Sequence, residues 1–201
     1  MAINLANNNS LANITALPSS VSGGAMTLLA TQTASGSANL SFTSGIDSTY
    51  DSYVFKFINI HPATDNVYFQ FNMSTDGGSS YNVTKTSTFF RSYHNEADDN
   101  VAISYATSLD LAQSTAFQRL TAESGNGADE NSCGFLQLFS PSSTTFVKHF
   151  INKLQQNAYN DFCQNDFSAG YGNTTSAVNA IQFQMSSGNI DSGVIKLYGI
   201  S

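Results

Sequence analysis

The chain has 201 residues, of which 10% are charged, 41% hydrophobic and 12% aromatic, and its formal net charge is −7. Seven Lys and Arg against fourteen Asp and Glu cannot form the basic stripe that phosphate backbones demand, which argues against nucleic acid and anionic membrane as partners. The apolar content argues against disorder, the length suits one large domain with or without an arm, and no apolar run approaches the ~18 residues of a membrane span.

The first five residues, Met1 to Leu5, carry neither the positive region nor the apolar stretch of a signal peptide. From there to about residue 25 the chain is a polar string punctuated by Leu5, Leu11, Ile14 and Leu17, and it closes in a Ser19–Gly24 linker. Such a segment is expected to be an extended N-terminal arm, ordered by laying those four side chains on another surface. Fully extended, it would reach roughly 80 Å.

Residues 26–201 read as strands. Met26–Thr31 and Ala38–Thr43 alternate briefly. Tyr53–Ile60 alternates with period two, placing Tyr53, Phe55, Phe57 and Asn59 on one face and Val54, Lys56, Ile58 and Ile60 on the other. His61-Pro62 ends it, because proline has no ladder donor. Val67–Met73 alternates again and runs into the turn Asp76-Gly77-Gly78. Further strands are expected at Thr86–Arg91, Val101–Tyr105, Gly134–Phe139, Phe146–Leu154 and Phe162–Ser168, then at Ala177–Met185 and Val194–Ser201 around a Gly/Ser/Asn turn. Ten or eleven short strands separated by turn signals predict an all-β fold, an antiparallel β-sandwich or jelly roll. A long polar insertion spans about 91–131. Within it Leu109, Ala112, Ala116 and Leu120 are loosely spaced for a helix, although a strand and loop fit equally well.

No pattern points to chemistry. Tyr93–Asn100 gathers a histidine and three carboxylates, but it lacks the glycine and terminal glutamate of a calcium loop. Glu123–Glu130 is a flexible acidic turn by composition. His61, His94 and His149 read as structural, and no nucleophile elbow, zinc-binding helix motif or phosphate loop occurs. No catalytic residue, cofactor or metal is expected. Exposed tyrosines among Tyr81, Tyr93, Tyr105, Tyr159 and Tyr171 would suit stacking on a sugar, although tryptophan is absent. Low charge with an aromatic excess instead suggests surface made for subunit contact and a symmetric oligomer.

Phe42–Tyr50, Phe57–Asp65, Ser74–Asn82, Pro141–Phe150 and Ala169–Ala177 through Ile195–Ile200 resemble a family of structural virion proteins from tailed phages of marine and freshwater bacteria, cyanophages included. The resemblance runs from about Asn9 onward. It implies a domain that occurs as a standalone virion protein or as a module of tail and fibre proteins, with no catalytic residues to carry over. The chain shows no repetitive shaft and no coiled-coil heptads, which favours a compact protein on a capsid or tail surface. The first reading is a capsid decoration protein, expected as a homotrimer bound to other virion proteins, with the spaced apolar residues Leu5, Leu11, Ile14 and Leu17 of the arm as its attachment residues. The alternatives are a tail-fibre module that reads a host glycan through segment 91–131 and, further off, a glycan-cleaving enzyme. Assembly in a reducing bacterial cytoplasm predicts that Cys133 and Cys163 are free thiols.

Overall fold

The computed structural model describes residues 26–201. The arm expected at 1–25, with Leu5, Leu11, Ile14 and Leu17, lies outside the described residues. Twelve strands follow: β1 (Thr27–Ser37), β2 (Leu40–Phe42), β3 (Ser52–Pro62), β4 (Phe69–Ser74), β5 (Lys85–Asn95), β6 (Val101–Tyr105), β7 (Gln118–Arg119), β8 (Ser132–Phe139), β9 (Lys148–Ala158), β10 (Phe162–Gly172), β11 (Ala180–Met185) and β12 (Ile190–Ile200). All neighbouring pairs are antiparallel, and among the described residues there is no helix. The strands form a large sheet, ordered β1-β12-β3-β8-β9-β10-β5-β6, and a small one, ordered β2-β11-β4-β7. The chain passes back and forth between them, so the fold is an antiparallel β-sandwich wound in the manner of a jelly roll.

The sandwich closes on an aromatic core. Phe183 of β11 sits among Phe42, Phe55, Phe57, Phe69 and Phe71, with ring centroids 5.2 to 6.4 Å apart, mostly edge-on or tilted. Tyr53, Phe55 and Phe57 face inward as their alternation predicts. Asn59 does not. It takes a left-handed backbone conformation, φ 51°, in a β-bulge that shifts the register against both β8 and β12. The extra residue resets the parity, so Asn59 is exposed and Ile60 turns inward.

The small sheet has only four strands, so it covers part of the large one. The rest of the inner face, on β9, β10 and β5, is polar: Asn152, Gln156, Gln164, Asp166, Lys85 and Ser87 are all buried there. The cause is the cover. Residues 106–124 cross this region with little regular pairing, and a buried loop leaves backbone groups that a strand ladder would otherwise satisfy. Inward side chains take over that task. Asn152 Nδ2 donates to the Leu120 carbonyl at 3.1 Å, and Gln164 Nε2 donates to that of Ala122 at 2.9 Å. Gln156 Nε2 also donates to the Ala122 carbonyl. Asp166 accepts from the Ala122 amide at 3.1 Å. Leu109, Leu120 and Ala122 supply the apolar part of the cover.

Segment 91–131 is therefore divided between both sheets. Its first residues finish β5, the next build β6, and Gln118–Arg119 pair with β4. The helical spacing at Leu109–Leu120 comes to nothing. Gln113 has φ 47°, outside the right-handed helical region, Ala112 and Ala116 face solvent, and Gln118 points inward to bond the Leu109 carbonyl at 3.2 Å.

Candidate functional site

Two features of the surface stand out. The first is the outer face of the large sheet, which no other layer of the described chain covers. Seven of the nine exposed large apolar side chains among the described residues lie on it. Val101, Ile103 and Tyr105 occupy edge strand β6, and Val101 and Ile103 are 74% and 81% exposed. Phe90 of β5 stands beside them, stacked at 5.1 Å on Phe167 of β10. Ile151, Ile58 and Leu28 continue the face across β9, β3 and β1.

The same face carries an unusual charge distribution. Register places Tyr105, Phe90, Phe167, Lys153, Phe135, Lys56 and Lys196 in one row across seven strands. Lys153 leans over the Phe167 ring at 5.4 Å and Lys56 over Tyr198 at 5.5 Å. Lys56 and Lys196 are direct cross-strand partners, an arrangement that costs stability because like charges face each other. No ion pair among the described residues involves a lysine; those present are Arg91–Glu123, His61–Asp191 and His94–Asp98. The strands of the large sheet contain two carboxylates only, Asp166 on the buried inner side and Asp191 at the start of β12. A protein of net charge −7 thus leaves three unpaired lysines on one broad face, whose β5–β6 margin carries the carboxylates Asp98, at His94, and Asp110, which accepts from the Tyr105 hydroxyl.

The second feature is a pocket of about 110 Å³ where β5 and β10 project beyond the small sheet, lined by Arg91, Tyr93, Asn100, Glu123, Phe162 and Gln164. Arg91 Nη1 donates to Glu123 Oε2 at 2.7 Å, and its guanidinium lies 5.3 Å from the Tyr93 ring centre. Tyr93 meets Phe162 edge-on at 5.3 Å. Arg91 Nε is buried without a hydrogen-bond partner. Behind Gln164 sits Asp166, whose carboxyl burial pushes up to about 7 even though backbone and side-chain donors oppose the shift. Asp166 does not line the pocket, and N–H groups of Ala122, Gln156 and Gln164 occupy its oxygens. What these residues can do is hold a small polar group by hydrogen bonds and aromatic contact.

The chain matches no protein family model, no curated protein and no solved structure.

The other residues singled out in the sequence are dispersed. Tyr93–Asn100 spans the end of β5 and the turn into β6, where His94 Nε2 meets Asp98 Oδ1 at 2.8 Å and Asn95 Nδ2 donates to Asp99 Oδ1 at 2.6 Å. Among the described residues no three His, Cys, Asp or Glu side chains are grouped to hold a metal ion. In the Glu123–Glu130 turn, Glu123 bonds Arg91 and Glu130 folds back on the Gly127 amide at 2.5 Å. His61 joins Asp191 at 3.6 Å and the Gly127 carbonyl at 3.1 Å. His149 rests against Tyr171 on the outer face. Cys133 on β8 and Cys163 on β10 are free, and β9 runs between them. Two strand spacings, about 9.6 Å, exceed the roughly 7 Å between Cα atoms that a disulfide tolerates. Sequence reading missed the open face, because Phe135, Ile151 and Phe167 alternate with inward residues, Asn152, Asp166 and Ser168 among them, whose burial only the fold reveals.

Proposed function

We propose that this chain is a structural component of a tailed-bacteriophage virion, a capsid decoration protein that stabilises the head by covering joints between shell subunits. The observation that carries the reading is the uncovered outer face of the large sheet. An exposed apolar patch of this breadth marks a macromolecular contact surface, and a broad sheet face, unlike a concave pocket, fits a protein partner. Acidity over the remaining surface suits the outside of a DNA-filled shell. Sequence resemblance to phage structural proteins supplies the setting. In this reading Leu5, Leu11, Ile14 and Leu17 of segment 1–25 attach the protein to the particle. Mass spectrometry of gradient-purified particles from the phage encoding the chain tests the proposal: the chain should be present in stoichiometric amount. A chain lacking residues 2–24 should keep the fold of residues 26–201 and lose particle binding. Particles without the chain would refute the role, and full-strength binding by the truncated protein would refute the attachment residues.

The Arg91 pocket favours a second reading, a tail or fibre module that binds a host-surface glycan. Its amide, guanidinium and carboxylate groups beside two aromatic rings match the hydrogen-bonding and stacking needs of one sugar unit. A glycan array probed with the full chain tests this reading; binding that Arg91→Ala abolishes would favour it.

A further inference from the structure

We propose that the outer face of the large sheet is a self-association surface, and that it seats the β5–β6 hairpin of a second copy in a head-to-tail contact. This deepens the structural reading above by naming the partner of its contact face.

The face is large enough. Seven intervals between eight strands span about 34 Å, and with strands of this length the face offers on the order of 800 Å², the share one partner contributes to a standard interface. The lysine row decides the geometry. Two copies mated face to face about a twofold axis along the row would bring Lys153, Lys56 and Lys196 against their own counterparts, and an axis across the row would set them against Phe167, Phe90 and Tyr105, with no carboxylate in either case. The partner must instead offer carboxylates together with apolar side chains. The β5–β6 hairpin has both: its turn carries Glu96, Asp98 and Asp99, all exposed, and its second strand carries Val101 and Ile103, the two most exposed aliphatic side chains among the described residues. Asp161 of the β9–β10 turn lies beside it, its carbonyl bonded to the Glu96 amide at 3.1 Å. Three carboxylates thus match three lysines, and Val101 and Ile103 match Phe135 and Phe167. Among the described residues, edge strand β6 also has one side free of ladder partners, an exposed template that coverage by another copy would protect. Such a contact is heterologous, and heterologous contacts close into rings when the rotation permits.

Sedimentation velocity of the full chain, over a range of micromolar concentrations and at low and high salt, tests the proposal. The expected result is a reversible oligomer that weakens as salt rises. Lys153→Glu should raise the dissociation constant by on the order of tenfold or more, and so should the turn variant Glu96→Lys/Asp98→Lys/Asp99→Lys. Combining the two should restore much of the association, because the charges are then exchanged. All four sites are on the surface, so unchanged melting of each variant separates lost association from lost folding. A monomer at every concentration overturns the proposal, even if that monomer binds particles through Lys153. An oligomer indifferent to both variants overturns it too. Absence of the chain from particles would refute the virion role alone and leave self-association standing.

Discussion

Replacement of Lys85 by methionine should stabilise the protein in mild acid and destabilise it in base. Lys85 is fully buried between β5 and the loop that covers it, and burial lowers its ammonium from 10.5 to about 7. At about 1.4 kcal/mol per pH unit, that depression corresponds to roughly 5 kcal/mol. Because the folded value lies below the unfolded one, the cost is fully present below pH 7 and fades as pH rises toward 10.5. Against it stand two hydrogen bonds, to Asn72 Oδ1 at 2.5 Å and to the Val83 carbonyl at 2.7 Å. Asn72 Oδ1 keeps the Met73 amide at 2.9 Å when the amine is removed, while the Val83 carbonyl loses its donor. Together these losses amount to about 2–3 kcal/mol. Lys85→Met should therefore be about 2 kcal/mol more stable than wild type at pH 6 and about 2 kcal/mol less stable at pH 10.5. Urea denaturation followed by tyrosine fluorescence at both pH values measures the difference. A variant less stable at both, or a gap that does not change with pH, would refute the reasoning.

Phe183→Ala should cost about 3–5 kcal/mol, since five aromatic rings pack around Phe183; a loss below about 1 kcal/mol in the same denaturation assay would mean the core is not centred there. Asp166 shows the opposite linkage to Lys85: burial raises its folded value to about 7, so wild-type stability contributed by this group falls as pH rises from about 4 to 7. Asp166→Asn should remove that slope, which thermal melts at pH 4.5 and 7.5 will show; an unaltered slope counts against the buried carboxyl. Thiol labelling of the protein, unfolded without reductant, should find both Cys133 and Cys163 reactive, and a missing pair of thiols would contradict the sheet order that separates them.

Much of the fold is legible in the sequence because the Tyr53–Phe57 and Val67–Met73 runs alternate cleanly, their inward members meeting in the aromatic core. The strands β5, β9 and β10 were legible too, but their polar inner face was not, for a physical reason. In β9, Ile151 faces solvent while Asn152 and Gln156 are buried, the reverse of a hydrophobic pattern. A loop covers these side chains, and its backbone needs donors and acceptors that only polar residues supply. Asn59 was misplaced because nothing in an alternating run marks the residue that will adopt a left-handed bulge. Lys56 and Lys196 are 140 positions apart in sequence, and only the pairing of β3 with β12 brings them side by side. The open face depends on such pairings throughout, so no local motif announced it.

The proposed place on the phage head is tested most directly by electron microscopy of particles from the encoding phage, labelled with antibody fragments against the chain. The structural account predicts label distributed over the head in a repeating array. Label confined to the tail tip would contradict decoration and favour host recognition, and particles without label would contradict a place in the virion.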